Sequence, residues 1–380
     1  MTTTDNVPVS NVEAAFAPWR AFMDNNFFGS LNGIRAIAIL AVLWHHVEWS
    51  PFSAPLLLLN HGHLGVDMFF IMSGFLIVTL LLRERDRSGD ISLPKFYSRR
   101  SLRIFPLYYG ILALLSVAFI VKSEANNADG FFESLPFLAT YTGNWVELSF
   151  FGVAWSLAAE EQFYLVWPMV EKFMARTWHL VAGAVLGIGF VLSMEPLRNI
   201  ADGSWFHWIS LMWQIAAMPI VLGAVIAHLL NQEKFFRVIH RYVTYRWSPV
   251  LGFLAIVVTA SLPSDEPSEI AGFPRLAVYL TMTYFLLSCV VVEEHSMKRI
   301  LASKPVARIG IVSYGIYLIH ILVVPYIGNL LGLVGQEALA EIPVVSLVGT
   351  LIVSWALAEV SFRLYEQPIL SFRRYFSVTR

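Results

Sequence analysis

Ten apolar stretches separated by short polar breaks divide the chain. They run roughly over 31–49, 62–83, 103–122, 153–171, 179–195, 207–230, 247–263, 275–292, 309–333 and 343–364. Most have the length a bilayer-spanning helix needs. In lipid each backbone polar group must be satisfied within its own segment, so helices are expected. The pattern predicts an all-α polytopic membrane protein with about ten transmembrane helices in one bundle. It shows no solenoid-type repeat and no second soluble domain. Residues 1–29 read as a tail with an interfacial helix near Phe16 to Phe28, residues 30–368 as the transmembrane domain, and residues 369–380 as a second tail.

Polar positions inside the stretches mark candidate chemistry. The first stretch, Leu31 to Glu48, reads LNGIRAIAILAVLWHHVE. Arg35 and His46 are eleven residues apart, about 16 Å along a helix and about 20° around it. They share one face, and His45 lies about 80° away. Ionisable groups at membrane depth are costly, so this stripe is a functional candidate. Snorkelling of Arg35 and a simple hydrogen bond at His46 are the plainer alternative.

Composition agrees with the pattern. The chain has 380 residues, 57% hydrophobic and only 14% charged, against about 25% charged in soluble domains. Its net charge of −1 selects no partner and gives no reason to expect nucleic acid. The single cysteine, Cys289, excludes an internal disulfide and lies in an apolar run where an inert thiol is expected. Charge distribution is more informative. Seven basic residues lie between Arg83 and Arg103. Lys234, Arg237, Arg241 and Arg246 lie in a second loop, Lys298, Arg299, Lys304 and Arg308 in a third, and Arg373, Arg374 and Arg380 in the tail. Intervening loops carry acids instead, with Glu124, Asp129, Glu133 and Glu147 in one and Asp265, Glu266 and Glu269 in another. Positive-inside bias then puts both termini in the cytoplasm. The first thirty residues lack a signal-peptide pattern, so the first span is expected to be retained.

Four further motifs stand out. The second stretch, HLGVDMFFIMSGFLI, holds Asp67 and the pair Ser73-Gly74. The pair reads either as close helix packing through small residues or as room for a ligand chain. The next motif, FYSRRSLRIFPLYY, clusters Arg99, Arg100 and Arg103 where the third span begins. Arg100 and Arg103 are neighbours on one helix face. They read either as topogenic charge on anionic lipid or as a phosphate clamp, since each guanidinium fork engages two oxygens. In VAWSLAAEEQFYLVWP, Trp155, Ser156, Glu160 and Tyr164 fall on successive turns, and Glu161 and Gln162 adjoin them. In GIVSYGIYLIHILVVP, Ser313, Tyr317 and His320 form an i, i+4, i+7 stripe beside Tyr314. An interhelical hydrogen-bond network is the plainer reading there. The aromatic loop residues Tyr141, Trp145 and Phe150 suit either sugar stacking or interface anchoring.

Taken together and in order, these five motifs resemble the acyltransferase-3 membrane acyltransferases. That group includes bacterial O-antigen and exopolysaccharide O-acetylases and macrolide O-acylases. The resemblance extends from about Leu31 to Pro368. The family's arginine–ten–histidine motif falls on Arg35 and His46, its RxxR motif on Arg100 and Arg103, and its glutamate-rich motif on Glu160, Glu161 and Gln162. Departures are Asn32 for the usual aspartate, Ala36 for the following glycine, and EQP at Glu366–Pro368 for an ERP-like motif. The arginine that many members carry before the pair matching Leu222-Gly223 is missing. The form without a fused SGNH-type esterase domain is expected.

The resemblance implies transfer of an acyl group, most often acetyl, from cytoplasmic acyl-CoA to a hydroxyl of a carbohydrate, lipid-linked glycan or macrolide acceptor. A bacterial cytoplasmic (inner) membrane location follows. His46 is expected as general base or transient acyl carrier, with Glu160 or Glu161 orienting it or holding acceptor hydroxyls. Arg35, Arg100, Arg103 and Ser73 are expected to hold acetyl-CoA, and no metal is expected. Asp67, Trp155, Tyr164, Tyr317 and His320 are expected to contact substrate. Two other classes fit buried Arg, His, Glu and Asp: a proton-coupled transporter and a sensor built on an inactive acyltransferase frame.

Overall fold

The computed structural model describes residues 10–25, 27–47, 61–121, 128–192, 213–262, 272–333, 335, 339 and 342–376. Among them every regular element is helical. Helices α1 (Ser10–Asp24), α2 (Gly29–His46), α3 (Leu64–Ser88) and α4 (Leu93–Val121) come first. Then follow α5 (Ala128–Ala139), α6 (Ala154–Phe173) and α7 (Trp178–Leu192). After α8 (Met218–Asn231) come α9 (Glu233–Val243), α10 (Ser248–Ala260) and α11 (Gly272–Val290). The last are α12 (Lys304–Ile311), α13 (Ser313–Val323) and α14 (Pro343–Ser361).

Each apolar stretch contributes a helix, but not each helix is a full span. Among the described residues, five are long and apolar enough to cross a membrane, or seven if each of two bent pairs counts as one. The pairs are Ala17–Asp24 with α2, bent by 66°, and α9 with α10, bent by 81°. Helices α7 and α8 are apolar but shorter. Helix α6 holds Glu160, Glu161, Glu171 and Lys172 in twenty residues, which lowers its hydropathy. Charge in α6, short length in α7 and α8, and the two bends therefore keep the count of full spans among the described residues at five to seven, against the expected ten. Glu48, Glu124, Asp265, Glu266, Glu269, Arg380 and residues 207–212 lie outside the described residues.

Two packed regions form the interior. One centres on α3, α8 and α11, with Phe75, Ile220 and Leu286 fully buried. The other joins α2, α4, α6 and α13 through Ile39, Tyr108 and Ile316. The choice left open for Ser73-Gly74 resolves toward packing at Gly74. A Cβ on Gly74 would stand 1.8 Å from the Ile220 carbonyl oxygen, and one on Gly223 would stand 2.1 Å from that of Ile71. The backbones of α3 and α8 touch across this pair, so no ligand chain passes there.

Helix α4 starts ten residues before the apolar stretch does. Its start is set by a joint with α3. Gly89, at φ +77°, ends α3 in the left-handed region that glycine tolerates. Glu84 then accepts from the Ser92 backbone N–H at 2.8 Å and from Arg99 Nη2 at 2.7 Å. Arg99 also donates to the Phe376 carbonyl at 2.8 Å. Outside the spans, the Lys172 ammonium donates to Asp90 at 2.6 Å and holds that exposed carboxyl below the usual aspartate range. The arginine cluster therefore sits within α4, not at its beginning. Arg99 is spent on the joint, which leaves Arg100 and Arg103 turned into the bundle.

Candidate functional site

A partly open cavity lies between the two packed regions. Arg35 of α2 and Arg100 and Arg103 of α4 line it with Ser73 of α3 and Glu160 of α6. Ser313, Tyr314 and Tyr317 of α13 and Ser156 of α6 complete its polar wall. Val66, Phe69, Phe70, Ile104 and Leu157 give it apolar surface.

Its charges are unevenly matched. Arg100 Nη2 is 3.7 Å from Glu160 Oε1, and Arg100 Nε is 3.8 Å from Glu161 Oε1. The same guanidinium stacks 3.6 Å over the Tyr164 ring. Glu160 Oε1 also accepts from the hydroxyls of Ser73 and Tyr164. Both carboxylates are thus taken up by Arg100. Among the described residues Arg35 meets only the Asn32 side-chain oxygen, at 3.4 Å. No carboxylate lies within ion-pair distance of Arg35 or Arg103 among the described residues. Two guanidiniums with open donor sites facing one cavity form an anion-binding surface.

Tyr317 marks the other end of the lining. Its hydroxyl meets Ser156 Oγ at 2.6 Å and donates to the Val153 carbonyl at 3.0 Å. One turn further, His320 Nδ1 lies 2.6 Å from the Tyr317 carbonyl oxygen. His320 Nε2 faces His46 Nδ1 at 3.4 Å, with ring centres 4.9 Å apart. His46 Nδ1 also lies 2.9 Å from the Val42 carbonyl oxygen. His46 is partly exposed and His320 fully buried. Neither lines the cavity wall directly; they stand behind Tyr317.

Several expected contacts go elsewhere. Asp67 is 3% exposed and lies 3.6 Å from Arg275 Nη2, away from the cavity. Trp155 packs edge-on against Phe70, ring centres 6.0 Å apart, outside the lining. Tyr164 and Glu161 stand behind Arg100 instead of facing open space. Of the three loop aromatics, Tyr141 is stacked 4.5 Å from Tyr108 and Phe150 packs on Phe119 and Phe131. Only Trp145 is exposed, at 47%.

Two constellations escaped the sequence reading. The first is Arg275 with Asp67, where an arginine at the start of an apolar stretch was the available signal. The second is Glu171, fully buried, which accepts from Trp167 Nε1 at 2.9 Å and pairs with His228 Nε2 at 2.7 Å. The His228 ring stacks 3.6 Å from Trp178. Only the mismatch of a glutamate and a histidine within two apolar stretches pointed to it. Among the described residues, no group of three or more His, Cys, Asp or Glu side chains could hold a metal ion.

An all-helical membrane bundle around an arginine-lined cavity, with a histidine pair behind Tyr317 of its wall, defines the class. The acyltransferase domain family matches residues 28–359, and the chain belongs to that family. It is 25% identical over 370 residues to a Staphylococcus aureus (strain COL) protein named "Putative O-acetyltransferase", covering 90% of this chain and 57% of that one. It is likewise 25% identical over 372 residues to the O-acetyltransferase OatA of Staphylococcus aureus (strain NCTC 8325 / PS 47), with the same coverage. The chain thus spans 57% of the length of these relatives. No solved structure matches it.

Proposed function

We propose that this membrane acyltransferase moves an acetyl group from acyl-CoA to a hydroxyl of a carbohydrate, lipid-linked glycan or macrolide acceptor. The observation that carries this reading is the charge asymmetry of the cavity. Arg35 and Arg103 stand unmatched at one end, and His46 stands about 16 Å from Arg35 along α2. A bound donor would lay its phosphates on the arginines and extend its thioester arm past Ser73 and Tyr317. Arg100, held by Glu160, Glu161 and Tyr164, would fix the wall between them. His46 would take the proton of the acceptor hydroxyl, a task suited to an imidazole at neutral pH. Positive-inside bias supports donor approach from the cytoplasm of a bacterial inner membrane, where acyl-CoA is made.

The test is incubation of the purified protein with labelled acetyl-CoA and candidate glycans, followed by mass spectrometry of the products. His46→Ala is expected to abolish transfer while the protein still folds and inserts. Transfer that survives in this variant removes the imidazole from the chemistry.

A further inference from the structure

We infer that Nε2 of His46 is the nitrogen that accepts the hydroxyl proton, and that His320 is a positioning residue for that imidazole, not a substrate contact. The inference rests on the transferase reading above and deepens it. A backbone carbonyl oxygen can only accept a hydrogen bond. His320 Nδ1 lies 2.6 Å from the Tyr317 carbonyl oxygen, so Nδ1 carries the hydrogen. In the neutral ring Nε2 then keeps its lone pair. That lone pair faces His46 Nδ1 at 3.4 Å. His46 Nδ1 also faces the Val42 carbonyl oxygen at 2.9 Å. Two acceptors converge on this one nitrogen, so it carries the hydrogen. The lone pair of His46 is left on Nε2, which has no partner among the described residues.

The same geometry stabilises the charged ring. As the acceptor O–H bond breaks, the proton goes to His46 Nε2 and the acceptor oxygen bonds to the acyl carbon. The carbon–sulfur bond breaks, and its electron pair leaves with the CoA sulfur. The proton on His46 then passes to that sulfur, and the ring returns to neutral. While His46 is charged, its Nδ1–H remains shared between Val42 and His320. A carboxylate in the orienting position would add a buried charge that is costly at membrane depth. A neutral imidazole locked by the Tyr317 carbonyl supplies the same acceptor without it. The other polar rings nearby are His45, 5.3 Å from His46, and Tyr317, whose hydroxyl is occupied by Ser156 and Val153. His63 stands beyond, 5.5 Å from His45. No carboxylate is within ion-pair distance of His46 among the described residues.

Nitrogen-15 NMR of histidine-labelled protein in lipid nanodiscs tests the protonation pattern without needing an acceptor. Comparison with His46→Gln and His320→Gln identifies the two rings among the ten histidines. Both neutral rings are expected with hydrogen on Nδ1. Hydrogen on Nε2 at either ring overturns the inference and leaves the transferase reading standing. The second measurement follows label from radioactive acetyl-CoA into the glycan and lipid fractions of native membranes carrying each variant. His320→Leu is expected to lower kcat roughly 10- to 100-fold, the worth of one hydrogen bond to a charged group, with KM for acetyl-CoA unchanged. His320→Gln, which can present a carbonyl oxygen, should recover most of the rate. Equal loss in folded Leu and Gln variants refutes the positioning role. Absence of any label transfer in wild-type membranes refutes the transferase reading instead, and the NMR result then judges the ring assignment alone.

Discussion

Gly74→Ala tests the packing argument most directly. The added methyl would stand 1.8 Å from the Ile220 carbonyl oxygen, where ordinary contact begins at 3.4 Å. Helices α3 and α8 must therefore part by about 1.6 Å, or one must shift along the other. Neither atom in the clash can rotate away, because the carbonyl belongs to the backbone of α8. Overpacking typically costs about 1–3 kcal/mol, and a backbone-limited case lies at the upper end. Parting the helices also forfeits dispersion contacts along their whole seam. At about 2–4 °C per kcal/mol for chains of moderate size, the melting temperature should fall by about 6 °C or more. The assay is thermal unfolding of purified protein in detergent, followed by intrinsic fluorescence. Gly183→Ala is the control, because nothing lies within 4 Å of the added Cβ and alanine favours a helix by up to about 1 kcal/mol. It should match or exceed the wild type. A Gly74→Ala protein melting within about 2 °C of wild type would refute the claim that these backbones touch. Because Ser73 adjoins Gly74 and donates to Glu160, acyl transfer should fall in the same variant.

Other outcomes follow from the same geometry. Arg103→Ala should raise KM for acetyl-CoA about tenfold or more in steady-state kinetics, with unfolding temperature unchanged, since the arginine binds no protein carboxylate. Asp67→Asn should lower the unfolding temperature, because the buried ion pair with Arg275 at 3.6 Å is lost; Asp67→Leu with Arg275→Met should recover most of that loss. Trp145→Ala should leave the unfolding temperature unchanged, and a fall in acceptor affinity alone would mark the exposed ring as a sugar platform. The Asp90 carboxyl is held below its ordinary range, so its link to Lys172 should persist through mild acidification and be lost only as pH falls below that range. Carboxyl carbon-13 NMR checks this, and in Lys172→Met the Asp90 titration should move up toward the ordinary aspartate range, with the Ile91 backbone N–H still holding it down in part.

Much of the architecture was legible because lipid forces apolar stretches into helices. All ten stretches contribute one, and the stripes Arg35–His46 and Ser313–Tyr317–His320 follow from helical spacing alone. The span count was less legible. Apolar length cannot reveal the bends between α1 and α2 or between α9 and α10. The start of α4 was misplaced because Glu84 and Gly89 set it through tertiary bonds, not through hydropathy. In the site, spacing placed Arg100 and Arg103 on one face but could not tell that Arg99 is bound to Glu84. The pairing of Asp67 with Arg275 joins residues far apart in the chain and left no local signal. The apolar wall formed by Phe69, Ile104 and Leu157 left no trace that distinguishes it from ordinary core.

The Arg99 bond to the Phe376 carbonyl ties the cavity to the order in which the chain is made. Arg100 is the next residue, so its wall reaches its final geometry only when the stretch 371–376 has folded back beneath the third membrane crossing. A nascent chain halted before that point would carry Arg35, Arg100, Arg103, His46 and His320 and still lack the brace on Arg99. The cavity wall would then be complete only after residues 371–376 have been made and have docked on the bundle.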